Sequence, residues 1–145
     1  MTGIVLLLSG PNLNLIGERE PEIYGTGTLE DHVAAARAVA ETHDLVLEHL
    51  QSNHEGDLVA AVQGARGRCA AIVINAGALT HYGRSLQDAL ASFEGPIVEL
   101  HLSNPAAREE WRHTSVIAPV ATAIIAGLGG HGYPMSMAAV ARLLA

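Results

Sequence analysis

Two segments of this sequence combine side chains that could move protons. In the first, residues 19–24, Arg19 lies five positions before Tyr24 in a polar stretch. A phenol has an ordinary pKa of about 10, but a cation within about 4–6 Å lowers the pKa of an acid by about 1–3 units. The segment therefore indicates a tyrosine base, with Arg108 as the candidate second cation. The alternative is a charged surface loop whose tyrosine covers apolar surface.

The second segment is residues 99–103, where Glu99 and His101 are two positions apart in a run typical of a strand. Residues at this spacing on a strand point to the same face. A carboxylate beside an imidazole favours the protonated ring and fixes its tautomer, which suits a general acid. A structural Glu–His pair would show the same spacing. The guanidinium of Arg112 suits a carboxylate or vicinal hydroxyls, or else a surface ion pair with Glu109.

The composition excludes several kinds of function. The formal charge is −7 and the pI about 5.5, and no basic face is apparent, so we expect no nucleic-acid partner. All eight basic residues are arginine, so no side-chain amine can form a Schiff base and no Walker lysine can hold a phosphate.

The sequence also predicts no metal and no cofactor. Eight histidines are present, but none shows H-E-x-x-H spacing, and we expect His32, His43 and His49 at the surface or at a sheet edge. Cys69 is the single cysteine and lies in an apolar run, which indicates a buried structural thiol. Residues 127–132 match G-x-G-x-x-G, but no acidic residue follows them, so we expect a tight turn and not a dinucleotide site.

The length of 145 residues predicts one catalytic domain, residues 1–145. Hydrophobic residues make up 49%, yet there are only one Trp, one Phe and three Tyr, so the core must be aliphatic, as in a packed parallel sheet. The sequence shows no basic leader and no 18-residue apolar span. We therefore expect a cytoplasmic protein without a membrane partner.

Predicted strands and helices alternate along the chain. Strands are predicted at residues 4–9, 45–50, 70–74, 97–102 and 121–126. A first helix is predicted at residues 28–42, with a capping box from Thr28 to Asp31, and a second helix after an N-cap at Asn53. Further helices are predicted at residues 85–92 and 135–144. A short helical stretch is predicted at residues 107–111. Residues 10–27 form a long loop. This order predicts an α/β fold, a flavodoxin-like three-layer sandwich with a five-stranded parallel sheet.

Ligands of open α/β sheets bind outside the carboxyl ends of the strands. The residues that follow the predicted strands are mostly amides, imidazoles and hydroxyls, and they occupy positions 10–12, 51–54, 75–81 and 101–103. These polar loops are predicted to converge on one site.

Several of these segments resemble the type II 3-dehydroquinate dehydratases. The matching motifs are residues 10–17 (GPNLNLIG), 19–25 (REPEIYG), 51–56 (QSNHEG), 74–81 (INAGALTH), 99–104 (ELHLSN), 108–113 (REEWRH) and 127–129 (GLG). Residues 82–85 (YGRS) and the pair Tyr133-Pro134 differ from the usual family sequence. The resemblance runs from about residue 4 to the C-terminus. It implies trans dehydration of 3-dehydroquinate to 3-dehydroshikimate through an enolate, in the shikimate pathway or in quinate catabolism.

The resemblance also implies roles for five catalytic residues. Tyr24 resembles the base that removes the C2 proton, and Arg19 the residue that favours its phenolate. Asn12 resembles the group that holds a water against the enolate oxygen. His101, oriented by Glu99, resembles the acid that protonates the departing hydroxyl.

The family's substrate-binding residues match further positions. Asn75, Leu102 and Ser103 resemble the pocket for the substrate carboxylate. His81 and Arg112 resemble the residues that contact the substrate's hydroxyl groups and ring. Asp88 resembles the residue that reaches the site of a neighbouring subunit. The family assembles as a homododecamer, a tetramer of trimers.

Two other functions are compatible with the same scaffold. One is a different sugar-acid lyase or isomerase. The other is a binding module for FMN, although flavin sites favour Ser, Thr and Gly after the first strand and aromatic partners for the ring. This chain has Gly-Pro-Asn-Leu-Asn there and few aromatic residues.

Overall fold

A computed structural model describes residues 3–145, so residues 1 and 2 of the predicted domain lie outside the described part. The strands are β1 (Gly3–Ser9), β2 (Leu45–Gln51), β3 (Ala71–Asn75), β4 (Ile97–His101) and β5 (Ala123–Ala126). The helices are α1 (Pro21–Tyr24), α2 (Leu29–Thr42), α3 (Glu55–Ala65), α4 (Arg84–Ala91) and α5 (Gly132–Leu144).

The five strands form one parallel sheet in the order β2-β1-β3-β4-β5. This order is that of the flavodoxin-like doubly wound fold, so the predicted fold class is confirmed. The order reverses between β1 and β3, whose carboxyl ends therefore lie side by side. That is the point at which such sheets bind ligands.

Alternation along β1 divides the core into two layers. Val5 and Leu7 face α2 and α5, whereas Leu6 and Leu8 face α3 and α4. All four side chains are buried, because both faces of the sheet are covered by helices. The predicted aliphatic core is therefore confirmed.

The predicted capping box at the start of α2 is present. The side chain of Thr28 accepts from the Asp31 amide at 3.1 Å, and the Asp31 carboxylate accepts from the Thr28 amide at 3.0 Å. These hydrogen bonds hold the pKa of Asp31 below its usual value, and the bond from the Thr28 backbone amide has the largest effect.

The long loop at residues 10–27 contains more structure than predicted. A 3-10 turn spans Leu13–Leu15, and α1 is a single helical turn that Pro21 begins and Gly25 ends with φ of 84°. Proline suits the first helical position because its fixed φ is helical and no amide is needed there. The loop is therefore folded into the site region and not simply irregular.

Three other predictions on helices are corrected. Asn53 does not cap α3, because His54 precedes that helix and the Asn53 side chain accepts from the Asn12 amide instead. Residues 107–111 are not one helix but parts of two 3-10 turns, Pro105–Ala107 and Glu110–Arg112. Helix α5 begins three residues earlier than predicted, because Pro134 lies in its first turn, where the amide has no partner within the helix.

The three histidines expected at the surface or an edge differ in their surroundings. His43 is exposed, as predicted, and His49 lies on the edge strand β2, where Nε2 is 2.9 Å from Ser9 Oγ. His32 is half-buried: the centroid of its ring lies 5.7 Å from that of Tyr133, on which it stacks, and its Nε2 is buried without a hydrogen-bond partner. Burial lowers the pKa of both His32 and His49.

Cys69 is half-buried, and burial raises the pKa of its thiol, as expected for a structural cysteine. Within residues 3–145, no helix combines the length and apolar character that a membrane-spanning segment needs.

The half-buried imidazoles of His32 and His49 predict that the fold loses stability on mild acidification. An unfolded imidazole has a pKa of about 6.5, and those of His32 and His49 are lower in the folded chain, so the unfolded state binds more protons as the pH falls below about 6.5. We expect the urea midpoint to be lower at pH 5.5 than at pH 7.5. The His32→Gln/His49→Gln double variant should show a smaller drop. His43→Gln, at an exposed site, is the control and should keep the wild-type drop; equal drops in all three proteins would contradict the prediction.

Candidate active site

A cavity opens at the carboxyl ends of β1, β3 and β4. The predicted catalytic residues on its wall are Asn12, Arg19, Tyr24 and His101. The predicted substrate-binding residues on its wall are Asn75, His81, Leu102, Ser103 and Arg112. The loop after β2, also expected here, supports the wall from behind, because the Gln51 side chain donates to the Gly10 carbonyl at 3.1 Å.

Tight backbone contact brings β1 and β3 together at this edge. The Gly10 amide donates to the Asn75 carbonyl at 2.8 Å, and a Cβ on Gly10 would lie 2.3 Å from the Ala76 carbonyl oxygen. Any other side chain at position 10 would therefore push the two loops apart. Gly77, with φ of 60°, then turns the chain into the wall of the cavity.

Tyr24 lies against two guanidinium groups. The central carbons of Arg19 and Arg108 are 5.0 and 5.1 Å from the centroid of its ring. The tyrosine is buried, with 9% of its surface exposed, and Arg108 also donates to Ser103 Oγ at 3.2 Å. The candidate second cation thus packs over the ring of Tyr24.

Glu20 was not singled out from the sequence, yet its carboxylate lies between the same two cations. It is 3.6 Å from Arg19 and 4.0 Å from Arg108, and its backbone has φ of 40°. A positive φ is costly for a residue other than glycine. The carboxylate offsets part of the positive charge around Tyr24.

The Glu99 and His101 side chains lie on one face of β4, as their spacing predicted. His101 Nε2 is 2.5 Å from a Glu99 carboxylate oxygen, and Glu99 is 2% exposed. Because a carboxylate accepts, the ring proton of this bond is on Nε2, which leaves Nδ1 for a bound molecule. Glu99 itself does not line the cavity but lies behind the imidazole.

Asn75 is held in one orientation from the core. Its Nδ2 donates to the hydroxyl of Tyr133 at 3.3 Å, and its Oδ1 accepts from the Gly77 amide at 3.4 Å. Tyr133 is fully buried, and burial raises the pKa of its phenol, so it remains neutral. Tyr133 is a supporting residue that sequence reasoning missed, because it does not lie in one of the loops that directly follow the strands.

His81 is fixed by a backbone carbonyl. Its Nδ1 lies 2.7 Å from the carbonyl oxygen of Thr114, which can only accept, so Nδ1 carries the proton. Burial lowers the pKa of His81, which favours the neutral ring with Nε2 as an acceptor. The ring also meets the edge of Trp111, with the centroids 5.2 Å apart.

Two predicted residues are placed differently from the rest. Arg112 lines the cavity and also forms the surface ion pair that was its alternative, with Nε 3.2 Å from both carboxylate oxygens of Glu109. Asp88 is exposed on α4 and lies outside this cavity. Across residues 3–145, no cluster of three His, Cys, Asp or Glu side chains is arranged to hold a metal ion.

The fold and the cavity define an α/β protein with a cationic cleft that carries proton-transfer groups. A family model described as dehydroquinase class II matches residues 3–141. The 3-dehydroquinate dehydratase 1 of Corynebacterium efficiens is 57% identical over 133 residues, which are 92% of this chain and 88% of that protein. The chain belongs to the class II dehydroquinase family.

Two further comparisons agree. The catabolic 3-dehydroquinase of Penicillium rubens is 50% identical over 133 residues, 92% of this chain and 86% of that protein. The crystal structure of the type II dehydroquinase from Butyrivibrio crossotus has a TM-score of 0.91 at 40% identity and covers 96% of this chain and 97% of that one.

The contact between Asn75 and Tyr133 predicts a measurable loss of stability in Tyr133→Phe. The variant leaves the buried Asn75 amide without its acceptor, which should lower the free energy of unfolding by about 1–2 kcal/mol. Urea denaturation at pH 7.5 measures it. Tyr82→Phe is the matched control, because Tyr82 is 61% exposed, and it should unfold like the wild type. Wild-type stability in Tyr133→Phe would show that this hydroxyl supports nothing.

Proposed function

We propose that this chain dehydrates 3-dehydroquinate to 3-dehydroshikimate by trans elimination through an enolate, without a Schiff base. The observation that carries the proposal is the packing of Tyr24 against Arg19 and Arg108 in the cavity that also holds the Glu99-backed ring of His101. A base and an acid on one cavity suit removal of a proton and a hydroxyl from neighbouring carbons. Family membership supports the same reaction.

The base is Tyr24 in its phenolate form. The guanidinium carbons of Arg19 and Arg108 lie 5.0 and 5.1 Å from the centroid of its ring, so two positive charges pack beside the base. The phenolate takes the proton from C2 beside the ketone, and the electron pair moves onto the carbonyl oxygen as an enolate. Arg19 stabilises the charge in the transition state. Asn12, on the cavity wall, holds a water against the enolate oxygen.

The acid is His101. The enolate expels the tertiary hydroxyl as the C–O bond breaks, and a proton from the imidazole converts it to water. Glu99 accepts from Nε2, which leaves Nδ1 to donate to a bound molecule.

The remaining polar groups bind the substrate. Asn75, Leu102 and Ser103 form the carboxylate pocket, with backbone amides contributing. Nε2 of His81 accepts a hydrogen bond from a substrate hydroxyl, because the ring proton lies on Nδ1. Arg112 supplies a cation and a ring contact on the same wall.

We further propose that residues 1–145 act as a single catalytic domain in the cytoplasm and assemble as a homododecamer, a tetramer of trimers. Asp88 supports a shared site, because it is exposed on α4 and outside its own cavity, where it can reach a neighbouring subunit. The acidic chain favours neither nucleic acid nor membrane as a partner. The reaction would serve aromatic biosynthesis through the shikimate pathway or quinate breakdown.

The assay that tests this function mixes the protein with 3-dehydroquinate and follows the ultraviolet absorbance of a conjugated enone. We expect absorbance to rise at a rate proportional to enzyme concentration. Borohydride added during turnover should leave the intact mass unchanged, because the chain has no lysine to form a trapped imine. No enone, or a yellow protein carrying flavin, would overturn the proposal.

Tyr24→Phe tests the base. The variant keeps the ring that packs against the guanidiniums and loses the oxygen that accepts the proton, so kcat should fall by about a hundredfold to ten-thousandfold. Its unfolding midpoint should stay close to that of the wild type. Tyr82→Phe, an exposed tyrosine, is the control and should keep full activity. Undiminished turnover in Tyr24→Phe would place the base elsewhere.

A further inference from the structure

The Glu99 carboxylate is a buried charge that needs more than one partner. It is 2% exposed and meets His101 on one side. Among residues 3–145, the other side chain that hydrogen-bonds to it is Ser115, whose Oγ lies 3.1 and 3.0 Å from the two carboxylate oxygens. Removing a buried carboxylate from water is costly unless such donors replace the lost hydration.

The hydroxyl proton of Ser115 is committed to this carboxylate. Its oxygen accepts from the Ile117 amide at 3.1 Å and from the Ala118 amide at 2.9 Å. A hydroxyl has two acceptor lone pairs and one proton. Because both lone pairs face backbone amides, the proton points to Glu99.

The turn that carries Ser115 is fixed to the cavity wall. The Thr114 carbonyl holds the ring of His81, and the Val116 amide donates to the Thr80 carbonyl at 2.7 Å. Ser115 itself does not line the cavity. It can therefore influence chemistry only through the carboxylate that it contacts.

We propose that Ser115 is a positioning residue for the acid: its hydroxyl keeps Glu99 ionised and aligned, so that the shared proton stays on the ring of His101. This inference rests on the proposed function, in which His101 donates a proton to the departing hydroxyl. The ring and the carboxylate share one proton, and a donor to the carboxylate favours the form in which the ring carries it.

Ser115→Ala should change activity in a way that loss of structure alone would not. Without the donor, the carboxylate binds the proton more tightly, so a smaller fraction of the pair has a charged ring and kcat falls by about tenfold or more. The pair as a whole then keeps its proton to higher pH, so the alkaline limb of kcat moves up by about half a pH unit or more. KM should change by less than about twofold, because no substrate contact is removed.

The ionisable groups that share the cavity with His101 are the same in the variant and the wild type. They are Tyr24, Arg19, His81, Arg108 and Arg112. A shifted limb in Ser115→Ala therefore reports the Glu99–His101 pair and not a new neighbour.

Two further variants make the test independent of folding. Ser115→Thr keeps the hydroxyl and should restore kcat and the position of the limb. Ser115→Cys has a weak donor and should give an intermediate kcat, so it replaces the alanine variant should that one fail to fold. Thr42→Ala removes an exposed hydroxyl at the end of α2 and should match the wild type.

The decisive readout besides activity is NMR of the protein with ¹⁵N-labelled histidine. At one fixed pH, the shifts of His101 should show the same charged fraction in the wild type and in Ser115→Thr, and a smaller one in Ser115→Ala. Should an active wild type and Ser115→Ala share one kcat, one pH profile and one set of His101 shifts, the inference is wrong. Should the wild type not dehydrate 3-dehydroquinate at all, the proposed function fails, whereas the NMR shifts still decide whether Ser115 controls the proton.

Discussion

The contact between Tyr24 and two guanidinium groups joins parts of the chain that are far apart in sequence. Arg19 and Tyr24 belong to the loop after β1, whereas Arg108 belongs to the segment after β4. An uncompensated pair of cations would repel, so the tyrosine ring and the carboxylate of Glu20 are what allow them to approach. The contact also shapes the cavity, because it closes the part of the wall that lies between these two segments.

The acid half of the site is built in a different way. Glu99 and His101 lie on a strand with neighbours on both sides, so the sheet fixes their backbone. The charge is buried behind the imidazole and is balanced by donors from β4 and from the turn at residues 114–118. The acid is thus carried by a strand, whereas the base is carried by the folded loop after β1.

Polar groups extend from the site into the core. Asn75 reaches the hydroxyl of Tyr133, which also lies 3.5 Å from Ser9 Oγ, and Ser9 in turn meets His49 on the edge strand. Ser9 and Tyr133 are fully buried, so their hydroxyl groups must find hydrogen-bond partners within the protein. The orientation of Asn75 is therefore set in part by Tyr133, which does not line the cavity.

The sequence by itself determined the five-stranded parallel sheet, its aliphatic core and the edge at which polar loops gather, because continuous apolar runs indicate strands buried on both faces and parallel strands bring their carboxyl ends to one edge. The tertiary structure alone decided which distant side chains support those groups. The contacts of Glu20, Ser115 and Tyr133 join elements that local spacing cannot relate, and the burial of His32 against Tyr133 follows from how α2 packs on α5. Such contacts depend on distances across the fold, and no periodicity along the chain encodes them.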